Sequence, residues 1–193
     1  MHVAQFAPTW PAPAGSVASI NTHDLPRLAG WWNGDEIETL EELGLLDEED
    51  AARERTHRQQ MRAELSALAE TEPSTGTVPA SVVHQMLERL GHSEAALVLI
   101  DVGDLWDERH VHNLPGTTND TNWVFRCRKP VDEWSSEDRG YLSTLDRSRR
   151  EVADAGAWPP PGWWFGADDQ HLFNQGSHTR LWHSLGARFD RVD

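Results

Sequence analysis

The 193-residue chain has room for one domain of ordinary size or one and a fraction. Its formal net charge of −15 disfavours a nucleic-acid partner, whose phosphates need a basic surface, and an anionic membrane. A single cysteine, Cys127, rules out an intrachain disulfide and fits a reducing, cytoplasmic compartment.

Ten tryptophans stand against one tyrosine, so the excess is not aromatic in general. It suits carbohydrate or another flat, uncharged ligand, which acidity does not repel; structural packing in helices is the competing use. Residues 1–16 carry neither a basic start nor a long apolar run, so no signal peptide is expected. No stretch approaches the length of a membrane span.

In chain order, His2 to Phe6 reads as a short strand and Thr9 to Gly15 as a Pro-rich loop. Val17 to Ile20 is a second strand, running straight into Thr22-His23-Asp24. The carboxyl end of a parallel strand is where barrel enzymes hold catalytic groups. Leu25 to Trp32 predicts a helical turn starting near Pro26. Asp35 to Leu46 and Glu48 to Glu70 predict two helices, the second capped by Asp47 and lined by Met61, Leu65 and Leu68. Its many charges form a solvated face. Pro79 to Leu90 is a helix that proline starts and Gly91 stops. Ala95 to Val102 is the strongest strand, a continuous apolar run of the kind buried on both faces. A short turn at Gly103 to Trp106, an irregular loop through Arg128 and a helix over Glu137 to Ala153 follow. Strands alternating with helices imply an α/β fold with a parallel sheet. Past Ala155, Trp-Pro-Pro-Pro-Gly-Trp-Trp forbids a helix and predicts a linker over 154–167. A polar-aromatic tail fills 168–193.

The chemistry centres on His23-Asp24, followed by the Trp31-Trp32 pair. A carboxylate and an imidazole can grip hydroxyl groups while flat rings stack on sugar faces. Read by itself, Asp24 is also a good helix N-cap before Leu25-Pro26. Asn113 belongs to a Pro115-Gly116 turn, which is its other use. Cys127 is flanked by Arg126, Arg128 and Lys129, which would lower a thiol pKa, but no histidine is close enough in sequence to make it a nucleophile. His178 and His183 are five apart with no third ligand, so no metal site is expected.

Thr22-His23-Asp24-Leu25-Pro26, with Gly30-Trp31-Trp32 behind it, resembles the corresponding motif of the 4-α-glucanotransferases (amylomaltases, glycoside hydrolase family 77). Three other stretches resemble the family in the same order. They are His2-Val3-Ala4-Gln5-Phe6, Asn113-Leu114-Pro115-Gly116-Thr117-Thr118, and Asn122-Trp123 with Arg126. Val124-Phe125 departs from the pattern, which carries arginines directly after Asn-Trp. The resemblance covers roughly residues 1 to 150. It implies the carboxyl-terminal portion of a (β/α)8 TIM-like barrel, incomplete, over residues 1–153.

Retaining glycoside chemistry needs a nucleophilic carboxylate and a carboxylic acid roughly 5 Å apart. The resemblance makes Asp24 a third, transition-state-stabilising carboxylate and His23 its partner on the same sugar. Asn113 sits in a loop that should face the same cleft, where it can contact a hydroxyl, and of Trp31 and Trp32 one is expected to stack on glucose and the other to pack inside the barrel. The family's nucleophile and acid/base lie upstream of the stretch matching residue 1, so this chain is expected to be a fragment, inactive by itself, whose missing amino-terminal part is a partner. The implied reaction transfers α-1,4-glucan segments between malto-oligosaccharides without metal or organic cofactor. The alternative is a non-catalytic glucan-binding or interaction module.

The tail, Asp169 to Arg188, resembles the opening of glycogen branching enzymes, with Asn174-Gln175 where acidic character is usual and Arg188 where histidine is usual. A fusion of the two enzymes is the implication.

Overall fold

The computed structural model describes residues 1–6, 11–118, 122–130 and 133–154. The expected linker beyond Asp154 and the tail 168–193, with His178 and His183, lie outside these residues.

Three short strands, β1 (His2–Val3), β2 (Val17–Ser19) and β3 (Leu97–Leu99), form a parallel sheet in the order β1-β2-β3. Ala18 of β2 pairs with His2 on one side and Val98 on the other. The expected α/β class with a parallel sheet is what the chain adopts. Each strand is shorter than its apolar run, but pairing continues past β1, where Ala4 and Gln5 donate their N–H groups to the Ser19 and Ile20 carbonyls at 2.8 and 3.1 Å.

The run around β3 is not buried on both faces as expected. Leu97 and Leu99 are 38% and 46% exposed, whereas Val98 packs against the core. Side chains alternate along a strand, so Leu97 and Leu99 share the face turned away from the helices. The helices cover only the Val98 side.

Helices α1 (Leu28–Asn33), α2 (Asp35–Glu42), α3 (Glu48–Leu68) and α4 (Ala80–Gly91) connect β2 to β3. α1 begins two residues after Pro26, because Arg27 keeps an extended ψ of 157°. Gly34, at φ 81°, closes α1 in a left-handed turn and opens α2. Its N–H reaches the Gly30 and Trp31 carbonyls, and a Cβ in that conformation would be strained. Asp47 caps α3 as its sequence predicts, accepting the Asp50 N–H at 2.8 Å, and Glu48, Glu49 and Asp50 favour the positive end of the helix dipole.

The core forms where α1, α3, α4 and α6 (Ser136–Asp154) meet the sheet. Leu28, Trp32, Leu65, Val82 and Leu87 are fully buried there. Gly91 of α4 lies against Ser148 of α6 so closely that a Cβ would fall 2.4 Å from the Ser148 Cβ. Arg149 seals this junction by donating to the Ser93 and Ala95 carbonyls, both at 2.9 Å. Burial pushes the Arg149 pKa down. Hydrogen bonds from a charged donor contribute about 1.5–3 kcal/mol each, so the guanidinium ties the end of α4 to the start of β3.

Candidate functional site

The site forms at the carboxyl end of β2. Ile20 and Asn21 are buried, and the chain then turns outward, with the Leu25 N–H closing on the Thr22 carbonyl at 3.1 Å. This exposes His23 and Asp24, whose side chains are 60% and 46% accessible. His23 Nε2 lies 3.4 Å from Asp24 Oδ2. The other oxygen, Oδ1, accepts a hydrogen bond from Asn113 Nδ2 at 2.7 Å, and the Asn113 N–H donates to the His23 carbonyl at 3.1 Å. Three residues singled out in the sequence therefore meet, across a separation of 89 positions.

Asp24 is not a helix cap. The N-cap position of α1 is Arg27, which makes no side-chain cap bond. The Leu28 N–H is instead satisfied by Asp104 Oδ1 at 2.7 Å, which also accepts from Asn21 Nδ2 at 2.8 Å. Asp104 comes from α5 (Val102–Leu105), just past β3. No sequence pattern pairs it with a helix start 76 residues earlier. Asp104 is fully buried, and burial pushes its pKa to about 7.

The tryptophan pair sits elsewhere than expected. Trp31 and Trp32 are both buried, at 3% and 0% exposure, so neither offers a face to a sugar. Trp31 stacks under the Arg58 guanidinium, 4.6 Å from the ring centre, and Trp32 donates Nε1–H to the Ser74 carbonyl at 3.0 Å. All but the last residue of this six-residue helix are buried, which leaves no outward position for either ring.

The exposed ring beside His23 belongs to Trp123, which the sequence marks only as part of the Asn122-Trp123 motif. It is 63% exposed, and its ring centre lies 5.4 Å from that of His23. Around it the loop is stapled. The Leu114 N–H donates to Asn122 Oδ1 at 3.1 Å, and Gly116, at φ 81°, takes the turn that brings the Thr117 N–H to the Leu114 carbonyl at 3.2 Å.

Beneath the site lies a charged network. Arg27, 1% exposed, pairs with Glu108 and lies 3.5 Å from Asp101 Oδ2. Its Nη2 is 2.8 Å from His112 Nε2, and that nitrogen is 2.9 Å from Asp101 Oδ2. Asp101 also caps α5 through the Gly103 N–H at 2.8 Å. Gly103 makes room for this network, since a Cβ would fall 2.5 Å from the Arg27 guanidinium and displace it. Glu108 Oε1 accepts the Arg128 N–H at 2.6 Å. The network thus joins the β2–α1 turn to the segment that carries Trp123.

Cys127 differs from expectation in its electrostatics. Partial burial raises its pKa first and the Glu108 carboxylate raises it further, outweighing Arg27. A thiol held in its protonated form is a poor nucleophile. A separate cavity of about 540 Å³ is lined by Asp35, Glu36, Arg109, His110, Phe125 and Arg126, among others, but not by His23 or Asp24. Among the described residues no helix is long and apolar enough to cross a membrane.

The model of the glycoside hydrolase 77 family, described as 4-alpha-glucanotransferase, matches residues 2–132. The chain belongs to this family. The match contains β1, β2, α1 to α5 and every residue of the His23–Asp24–Asn113–Trp123 cluster. A 4-alpha-glucanotransferase of Mycobacterium tuberculosis is 31% identical over 111 residues, covering 55% of this chain and 15% of that protein. A 1,4-alpha-glucan branching enzyme of a Synechococcus strain is 28% identical over 71 residues, covering 37% of this chain and 9% of the relative. Among solved structures, an amylomaltase from Corynebacterium glutamicum is similar with 27% identity and a TM-score of 0.49, over 63% of this chain and 20% of the other. The chain spans less than a fifth of the curated relatives' length.

Proposed function

We propose that this chain supplies one wall of the active cleft of a cytoplasmic 4-α-glucanotransferase. It would move α-1,4-glucan segments between malto-oligosaccharides through a glycosyl-enzyme intermediate. The observation that carries the proposal is the meeting of His23, Asp24 and Asn113 at the carboxyl end of β2, inside the stretch that the family covers. The parallel sheet, helices on one face and bare Leu97 and Leu99 on the other fit the closing portion of a (β/α)8 barrel.

In the proposed mechanism Asp24 is not the nucleophile. It accepts hydrogen bonds from two hydroxyls of one glucose. As that ring flattens towards the oxocarbenium-like transition state, the hydroxyls move into better alignment and the bonds strengthen. Asn113 fixes the carboxylate by donating to Oδ1, and His23, 3.4 Å from Oδ2, stands beside the oxygen that takes the sugar hydroxyls and supplies a third polar contact. The nucleophile and the acid/base come from other strands of the barrel. The tail similarity and the matched stretch of a branching enzyme fit a fusion with that second activity.

The chain alone is expected not to convert maltotriose into glucose and longer oligomers. Adding the barrel segment that carries the other two carboxylates should start the reaction. Turnover by the chain alone at an ordinary enzymatic rate would place the whole catalytic set within these residues and overturn this assignment.

A further inference from the structure

We propose that Trp123 is the sugar-stacking platform of the Asp24 subsite and that His112 is the residue that positions it. This rests on the reading of Asp24 as a sugar ligand and supplies the apolar half of that site. Glucose presents hydroxyls at its rim and C–H groups on its faces. A carboxylate and amide can hold the rim, but a face needs a flat ring, and Trp31 and Trp32 are buried.

Trp123 meets that need in position, exposure and rigidity. Its ring is 5.4 Å from His23, inclined by 37°, and 63% of the residue faces water. Its backbone sits at φ 63°, a left-handed conformation that is unfavourable for a bulky residue and that persists only where the surroundings impose it. They do so here. The Trp123 N–H donates to the His112 carbonyl at 2.7 Å, and the preceding Asn122 side chain is bonded to Leu114 and Thr117. A strained backbone that is held at the Trp123 N–H and at the preceding side chain, and that presents an exposed indole beside His23, is a built surface.

The His112 ring is the second aromatic neighbour of the indole, 6.4 Å between centres and inclined by 22°, within the range of offset aromatic pairs. Its Nε2 is held by Asp101 and Arg27 of the buried network. His112 touches no sugar in this arrangement. It transmits the rigidity of the buried charges to the indole.

The test is a titration of the 193-residue chain with maltoheptaose. It follows the Trp123 indole N–H resonance and the dissociation constant for the wild type, Trp123→Ala, Trp123→Phe, His112→Ala, His112→Phe and Asp24→Asn. The indole resonance should shift and saturate in the wild type. Trp123→Ala should weaken binding about 10-fold or more, and Trp123→Phe by only a few-fold. His112→Ala should move the indole resonance of the free protein and weaken binding several-fold, while His112→Phe, which keeps a flat ring, should recover most of it. Should Trp123→Ala fail to fold, Trp123→Phe and the wild-type shift carry the result.

A stationary indole resonance, or Trp123→Ala binding as tightly as the wild type while Asp24→Asn binds weakly, overturns the platform and leaves the Asp24 subsite standing. Loss of binding in the Trp123 variants keeps the platform, and a wild-type kcat for Asp24→Asn in the active enzyme separately overturns the Asp24 reading. Failure of the wild type to bind maltoheptaose overturns both. A His112→Ala protein unchanged in shift and affinity removes the positioning role.

Discussion

Replacing Asp24 by Asn in an active 4-α-glucanotransferase carrying this segment is expected to lower kcat by about 10²-fold or more, which corresponds to about 2.7 kcal/mol of lost transition-state stabilisation. The fold should hardly notice. Asp24 is half exposed and caps no helix, and its one strong partner, Asn113 Nδ2, can donate equally well to an asparagine oxygen. A group that tightens its grip only as the sugar flattens shows its loss in kcat more than in KM. Steady-state kinetics beside a thermal melt decide the matter. A wild-type kcat with a lowered melting temperature would make Asp24 a structural residue.

The second large effect lies in stability against pH and belongs to Asp104. Its folded pKa is raised to about 7 by burial, against the ordinary aspartate value of 3.8. Because the folded state binds the proton more tightly, the contribution of Asp104 is fully present below about pH 4. It is lost as pH rises towards 7, where the carboxylate must ionise without water and with Asp101 nearby. A difference of that size amounts to about 4 kcal/mol as an upper bound. Asp104→Asn keeps an acceptor for the Leu28 N–H and the Asn21 amide and cannot ionise. Urea unfolding between pH 4 and pH 8 should show the wild type losing ground to Asp104→Asn across that window. A constant gap between the two would mean that Asp104 titrates as an ordinary surface carboxylate.

Local signals were legible in the sequence. The Asp47 cap, Met61 and Leu65 on the buried side of α3 and the proline start of α4 follow from neighbours within a few residues, and the parallel arrangement follows from the alternation of strands and helices. The motif residues His23, Asp24 and Asn113 were legible because the family resemblance fixes them, and the fold brings them together. What stayed hidden depends on distant partners. Trp31 and Trp32 look like ligand-stacking residues, yet the fold draws both into the core, with Arg58 of α3 over Trp31 and the Ser74 carbonyl bonded to Trp32. The cap that α1 needs arrives from Asp104, and no local pattern announces a partner so far along the chain. The apolar run around β3 suggests burial on both faces, yet alternation turns Leu97 and Leu99 to a face that the helices do not cover. Trp123 carries no local sign of its role. Its closeness to His23 comes from the Asn122 staple and the His112 carbonyl, both products of tertiary structure.

The most direct measurement of the central claim is the side-chain amide resonance of Asn113 during a maltoheptaose titration. Its Nδ2 donates to Asp24 Oδ1 at 2.7 Å, so any hydroxyl that engages the carboxylate alters that bond. A saturable shift with maltoheptaose is predicted, much reduced in Asp24→Asn and absent with a β-1,4-linked glucose oligomer of similar length. An Asn113 amide that stays still while malto-oligosaccharide binds, or that responds equally to the β-linked oligomer, would contradict the assignment of this cluster as an α-glucan subsite.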